Sequence, residues 1–65
     1  MTPLVVFDNV KRYADKRNVS LTYVEKQAEL GNGAITKWRY GFPNLNNIVK
    51  VAKVLGVTLD ELVQE

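Results

Sequence analysis

The sequence predicts an all-α fold of five short helices, and three observations carry that prediction. Apolar residues recur at three- and four-residue intervals through most of the chain, as on helices that bury one face. Residues suited to start helices (Ser20, Asn44, Thr58) and to end them (Asn18, Gly41, Gly56) punctuate the pattern at short spacing. No stretch reads convincingly as a strand, and no linker, low-complexity tract or internal repeat interrupts the chain.

The first helix is expected over about 3–17. Thr2 supplies a hydroxyl cap, and Pro3 stands where a missing N–H costs nothing. Phe7, Val10 and Ala14 form its apolar stripe, flanked by Val6 and Tyr13. Lys16 and Arg17 suit the negative end of the helix dipole, and Asn18 tolerates the left-handed backbone that ends a helix. The β-branched pair Val5-Val6 leaves a strand open for its first turn. The second helix starts at Ser20 and runs to about 28 or 29, with Leu21, Val24 and Ala28 inward and Glu25, Lys26 and Glu29 outward. Gly31-Asn32-Gly33 interrupts it. The third is expected over about 32–40, held to the core by Ile35 and Trp38 and ended by Gly41. Pro43 disfavours helical geometry at Phe42, which forces a turn. Asn44 caps the fourth, whose Leu45, Ile48, Ala52 and Leu55 recur on one face beside Val51 and which Gly56 ends. Thr58 and Glu61 have the spacing of a capping box for the fifth, about 59–64, packed by Leu59, Leu62 and Val63.

Composition narrows the function. A 65-residue chain is expected to form one domain, 1–65, burying about 60% of its unfolded surface, so its core is thin. It contains neither Cys nor His, which removes disulfides, the commonest zinc ligands and the commonest general base. No window approaches the ~18 apolar residues of a membrane span, and Leu4-Val5-Val6-Phe7 lacks the basic run of a signal peptide. The absence of Cys fits a reducing compartment, so a cytoplasmic location is expected, with no cofactor, metal, membrane or small-molecule ligand. The formal charge of +2 hides an asymmetry: residues 1–53 carry +5 and residues 54–65 carry −3. Between Glu29 and Asp60 there is no acid, only Lys37, Arg39, Lys50 and Lys53. Such a distribution suits a basic face turned to a polyanion, although scattered surface charge produces it too.

The stretch SLTYVEKQAELGNGAITKWRYGFPNLNNIVKVAKVLGVTLDEL, from Ser20 to Leu62, closely resembles the Cro/C1-type (XRE-like, lambda-repressor-like) helix-turn-helix family. AITKW, the Pro43-Asn-Leu start of the fourth helix and AKVLGVTLDEL are its most telling pieces. The resemblance implies a lambda-repressor-like DNA-binding domain whose helix-turn-helix spans about 21–40. The chain departs from the family pattern at several places. Leu21 stands where a polar Gln is frequent, Glu29 where Gly is usual, Gly31 where Ser or Thr caps, and Arg39 where an acid often follows the tryptophan. The loop before the fourth helix is also about two residues shorter than usual.

The function implied is a sequence-specific transcriptional regulator of double-stranded DNA, a repressor acting as a homodimer on a palindromic operator, with the third helix in the major groove. By position, the resemblance assigns base contact to Asn32, Gly33, Thr36 and Lys37. Asn32 suits adenine, or serves only the turn; Lys37 suits guanine or phosphate; Thr36 suits a thymine methyl or phosphate; Gly33 would allow close backbone approach. Thr22, Tyr23, Arg39, Tyr40, Asn44, Asn46 and Asn47 are the candidates for backbone contact, with Tyr40 equally suited to packing on Phe42. Val57, Val63 and Leu4-Val5 form a candidate dimer patch. The end at Glu65 fits a small Cro-like regulator or part of a longer repressor. The main rival is a protein-interaction module, an antirepressor or cofactor, which Leu21, Tyr23, Tyr40 and Phe42 would suit. Catalysis by Glu25 and Glu29, four residues apart, is the weakest reading, because their plain role is a solvated helix face.

Overall fold

In a computed structural model, which describes residues 3–65, the chain forms four α-helices and one 3₁₀ segment: α1 (Pro3–Lys16), α2 (Leu21–Gln27), the 3₁₀ segment (Thr36–Arg39), α3 (Leu45–Leu55) and α4 (Leu59–Val63). The Thr2 cap lies outside the described residues. The first turn of α1 is helical despite Val5-Val6. The architecture is all-α as expected, but the third helix is not an α-helix over 32–40. It is a turn over 32–35 followed by a single 3₁₀ stretch.

The expected stripes build the core. Val6, Phe7, Val10 and Ala14 of α1 meet Val24 and Ala28, Ile35 and Trp38, Ile48, Val51, Ala52 and Leu55 of α3, and Leu62 of α4. The 3₁₀ segment packs on α1, α2 packs on α3, and α4 spans α1 and α3. Leu45, the first residue of α3, departs from its stripe and is 61% exposed, so the core contact of α3 begins at Ile48.

Three helices close with the same device. Asn18, Glu29 and Gly56 adopt left-handed φ of 57°, 61° and 70°. The next amide then donates back five residues: Val19 to Ala14 (3.0 Å), Leu30 to Glu25 (2.8 Å) and Val57 to Ala52 (3.0 Å). This satisfies carbonyls that the helix itself leaves free, and the following apolar residue folds onto the core. Val19, Leu30 and Val57 are all partly buried there. Gly41 does not act this way. The 3₁₀ segment ends at Tyr40 in right-handed geometry, so no left-handed residue is required.

Polar ties join α1 to the end of the chain. Asn9 is 7% exposed, and its amide donates to the carbonyls of Leu62 (2.9 Å) and Gln64 (2.8 Å). Those carbonyls lie at the end of α4, where the helix itself offers them no amide. Tyr13 donates to Glu61 at 3.3 Å. The capping box is present: Glu61 N–H donates to Thr58 Oγ1 (3.1 Å), and Thr58 N–H donates to Glu61 Oε1 (2.9 Å).

The Thr58 N–H holds the Glu61 carboxyl below the usual glutamate range, helped by the Thr58 hydroxyl. A carboxylate with a depressed folded-state pKa stabilises above its unfolded value and loses that contribution as pH falls through the folded one. Thermal melts from about pH 6 to about pH 3 should therefore show a loss of stability that is shallower in Glu61→Gln, which keeps the box without titrating. Thr58→Ala should cost about 1 kcal/mol at neutral pH, measured by urea unfolding.

Candidate nucleic-acid interface

The stretch from Gly31 to Tyr40 is too glycine-rich to hold itself as an α-helix. It winds through hydrogen bonds of mixed span: Ala34 N–H to Gly31 O (3.1 Å), Lys37 N–H to Gly33 O (3.2 Å), Trp38 N–H to Ile35 O (2.9 Å) and Tyr40 N–H to Lys37 O (3.0 Å). Gly33 has φ +76°, a left-handed value that an L side chain resists and that no uninterrupted right-handed helix contains.

Two kinds of anchor fix this winding. Ile35 and Trp38 are buried, and their three-residue spacing suits a 3₁₀ turn, in which such residues share a side. The second anchor is polar. Glu25 on α2 is only 4% exposed, and its carboxylate accepts from the amides of Gly33 (3.1 Å, Oε1) and Ile35 (3.0 Å, Oε2). This corrects the expectation that Glu25 points outward with Glu29. Glu29 is exposed and lies beyond the end of α2, so the two acids form no common face. The signal for Glu25 was present in the pattern. Residues 21, 24, 25 and 28 stand at i, i+3, i+4 and i+7, so the inner face includes Glu25. Asn9 occupies the same kind of place among Val6, Val10 and Tyr13.

With its inner side held, the segment presents Asn32, Thr36 and Lys37 exposed, while Gly33 is half-buried. The Gly33 amide is engaged by Glu25 and its carbonyl accepts from the Lys37 N–H, while the space where a side chain would stand is open. Arg39 lies along α1, its guanidinium 5.6 Å from the Phe7 ring centre and 6.0 Å from that of Tyr40. Tyr40 is 82% exposed and makes no close packing that would hide it against Phe42, itself exposed.

The other expected residues lie in α2 and at the start of α3. Thr22 and Tyr23 are exposed in the first turn of α2, where the Tyr23 amide donates to Ser20 Oγ (3.0 Å). Asn44 is exposed, and its Oδ1 caps α3 by accepting from Asn46 N–H (2.7 Å), which leaves its amide nitrogen for an outside partner. Asn46 is exposed and Asn47 half-buried. The ion pair among the described residues is Lys11–Asp15, at 3.5 Å. Lys37, Arg39, Lys50 and Lys53 therefore face outward with no acid bound to them.

A short helix, a glycine-bearing turn and a second helical segment locked to the core define a helix-turn-helix domain. The chain belongs to the Cro/C1-type helix-turn-helix family: the family model described as helix-turn-helix matches residues 10–62. That family consists of DNA-binding transcriptional regulators rather than enzymes. Among curated proteins and among solved structures, no match was found. No helix among the described residues is long and apolar enough to cross a membrane.

Glu29 carries a prediction from this geometry. Its left-handed backbone costs an L residue about 1–2 kcal/mol, part of which glycine returns as unfolded-state entropy. Glu29→Gly should therefore stabilise the domain by about 0.5–1 kcal/mol, read as a higher urea midpoint with an unchanged slope.

Proposed function

We propose that the chain is a sequence-specific regulator of double-stranded DNA, acting as a repressor by placing the 31–40 segment in the major groove. The observation that carries this reading is the segment itself: its inner side is fixed by Ile35, Trp38 and Glu25, and its outer side offers Asn32, Thr36 and Lys37 to a partner. An amide and an ammonium at that spacing suit adenine and guanine edges, and Thr36 suits a thymine methyl or a phosphate. Gly33 acts through its left-handed turn, which places Asn32 ahead of the segment.

Arg39 and Tyr40 at the end of the segment, with Thr22 and Tyr23 before it and Asn44, Asn46 and Asn47 after it in the chain, supply phosphate contacts, which position the domain without reading sequence. The single domain spans 1–65, and one module of this size buries roughly 600–1,000 Å² on DNA. Specificity then calls for two copies on a palindromic operator. Leu4 is exposed and Val5, Val57 and Val63 are half-buried, so this patch still offers apolar area to a second copy. A second reading, a protein-binding module, draws support from the exposure of Tyr40, Phe42 and Leu45 along one connection.

Selection of a preferred site from random duplexes, followed by binding at two salt concentrations, separates the readings. A palindromic site with steeply salt-dependent affinity supports DNA reading, and no salt-sensitive binding to any duplex would sink it. Lys37→Ala should weaken binding to all duplexes and lower the salt slope by about 1 if it meets phosphate. Asn32→Ala should cost about 1–3 kcal/mol on the selected site alone, and an equal loss on random DNA would remove it as a base reader.

A further inference from the structure

We propose that Glu25, which faces the protein interior, sets the DNA specificity of the domain by clasping the amides of Gly33 and Ile35 and so fixing the register of the side chains between and beside them. The inference rests on the reading of 31–40 as the DNA-reading segment. The two amides straddle Ala34, and both oxygens of one carboxylate are used, one on each. Asn32 precedes the first clasped residue and Thr36 follows the second, so the candidate readers sit immediately outside the clasp. The segment lacks the run of regular α-helical bonds that would otherwise hold those positions. The hydrophobic anchors Ile35 and Trp38 hold the segment to the core but leave its rotation about their line less constrained. A buried two-point bond to backbone resists that rotation, and base reading tolerates displacements of only about half an ångström. Glu25 is a positioning residue here, since it touches no base.

Glu25→Gln is the informative change. Glutamine has the same shape, yet it can accept from one amide and turns a donor toward the other. It also removes a negative charge from the DNA side, which raises affinity for every duplex alike. The two effects separate in the ratio of affinities for the selected site and a random duplex. At a temperature where circular dichroism shows the variant folded, that ratio should fall about tenfold, the order of one lost bidentate base contact. Hydrogen exchange should quicken at the Gly33 and Ile35 amides while Val10 and Val51 keep their protection. Thr58→Ala, destabilised far from the segment, should leave the ratio unchanged. If Glu25→Gln does not fold, Glu25→Asp serves, since its shorter carboxylate keeps the charge but spans less of the gap. An unchanged ratio in a folded variant, or an equal loss on both duplexes, overturns the proposal. If the unsubstituted protein prefers no duplex, the DNA reading itself has failed and the proposal falls with it, a result distinguishable because no variant is needed to obtain it.

Discussion

The hydrogen bonds from Gly33 and Ile35 to the Glu25 carboxylate hold the stretch that leads into the 3₁₀ segment and that has no regular α-helix of its own. Burying a carboxylate is costly unless donors replace its water, and burying amides without acceptors is costly as well. Each group therefore justifies the burial of the other. The arrangement works because Gly33 turns left-handed, which brings two amides two residues apart toward one side chain. The short turn after α2 then delivers Ile35 and Trp38 to α1, and the remainder of the core closes around them.

A second polar tie serves the opposite side. Asn9 collects the carbonyls at the end of α4, much as Glu25 collects the amides that lead into the 3₁₀ segment. An amide side chain is suited to carbonyls and a carboxylate to N–H groups, so neither residue could replace the other. In a thin core, apolar contact alone tolerates sliding of short helices. Two directional ties, one at each side of α1 and α2, specify the register that the stripes leave loose. The left-handed closures at Asn18, Glu29 and Gly56 add local stops, so each helix ends where its neighbour needs it to.

Much of this was legible in the sequence. The stripes named the core of α1 and α3, Asn44 and Thr58 were readable as caps, and Asn18 and Gly56 as left-handed ends, because those choices depend on neighbours within a turn or two. The backbone at Glu29 was legible only through the family resemblance, since nothing local favours a left-handed glutamate. The α-helix expected over about 32–40 does not form, because the winding there depends on a carboxylate eight and ten residues away from the amides it holds. Polarity alone sends Glu25 outward, although it stands at an inward place of its stripe, as Asn9 does in α1. A polar residue on the apolar face of a helix signals a tie to backbone, and here both such residues make one. Of the candidate site, the exposed positions Asn32, Thr36 and Lys37 were legible, while the engagement of the Gly33 amide was not.

The charge map gains meaning from these ties. A nucleic-acid face needs cations that no neighbouring acid has neutralised. Four acids in the first 53 residues already reduce the nine cations of that region to +5. Glu25 is enclosed by the amides it accepts from, and Asp15 is matched by Lys11 one turn before it. Glu61 is occupied at the start of α4. Of these, only Asp15 is paired with a cation, and the amides hold Glu25 and Glu61 in place without cancelling their charge; Lys37, Arg39, Lys50 and Lys53 stay exposed in a stretch without any acid. The carboxylate that shapes the 31–40 segment thus fixes its geometry at some cost in attraction for a phosphate chain.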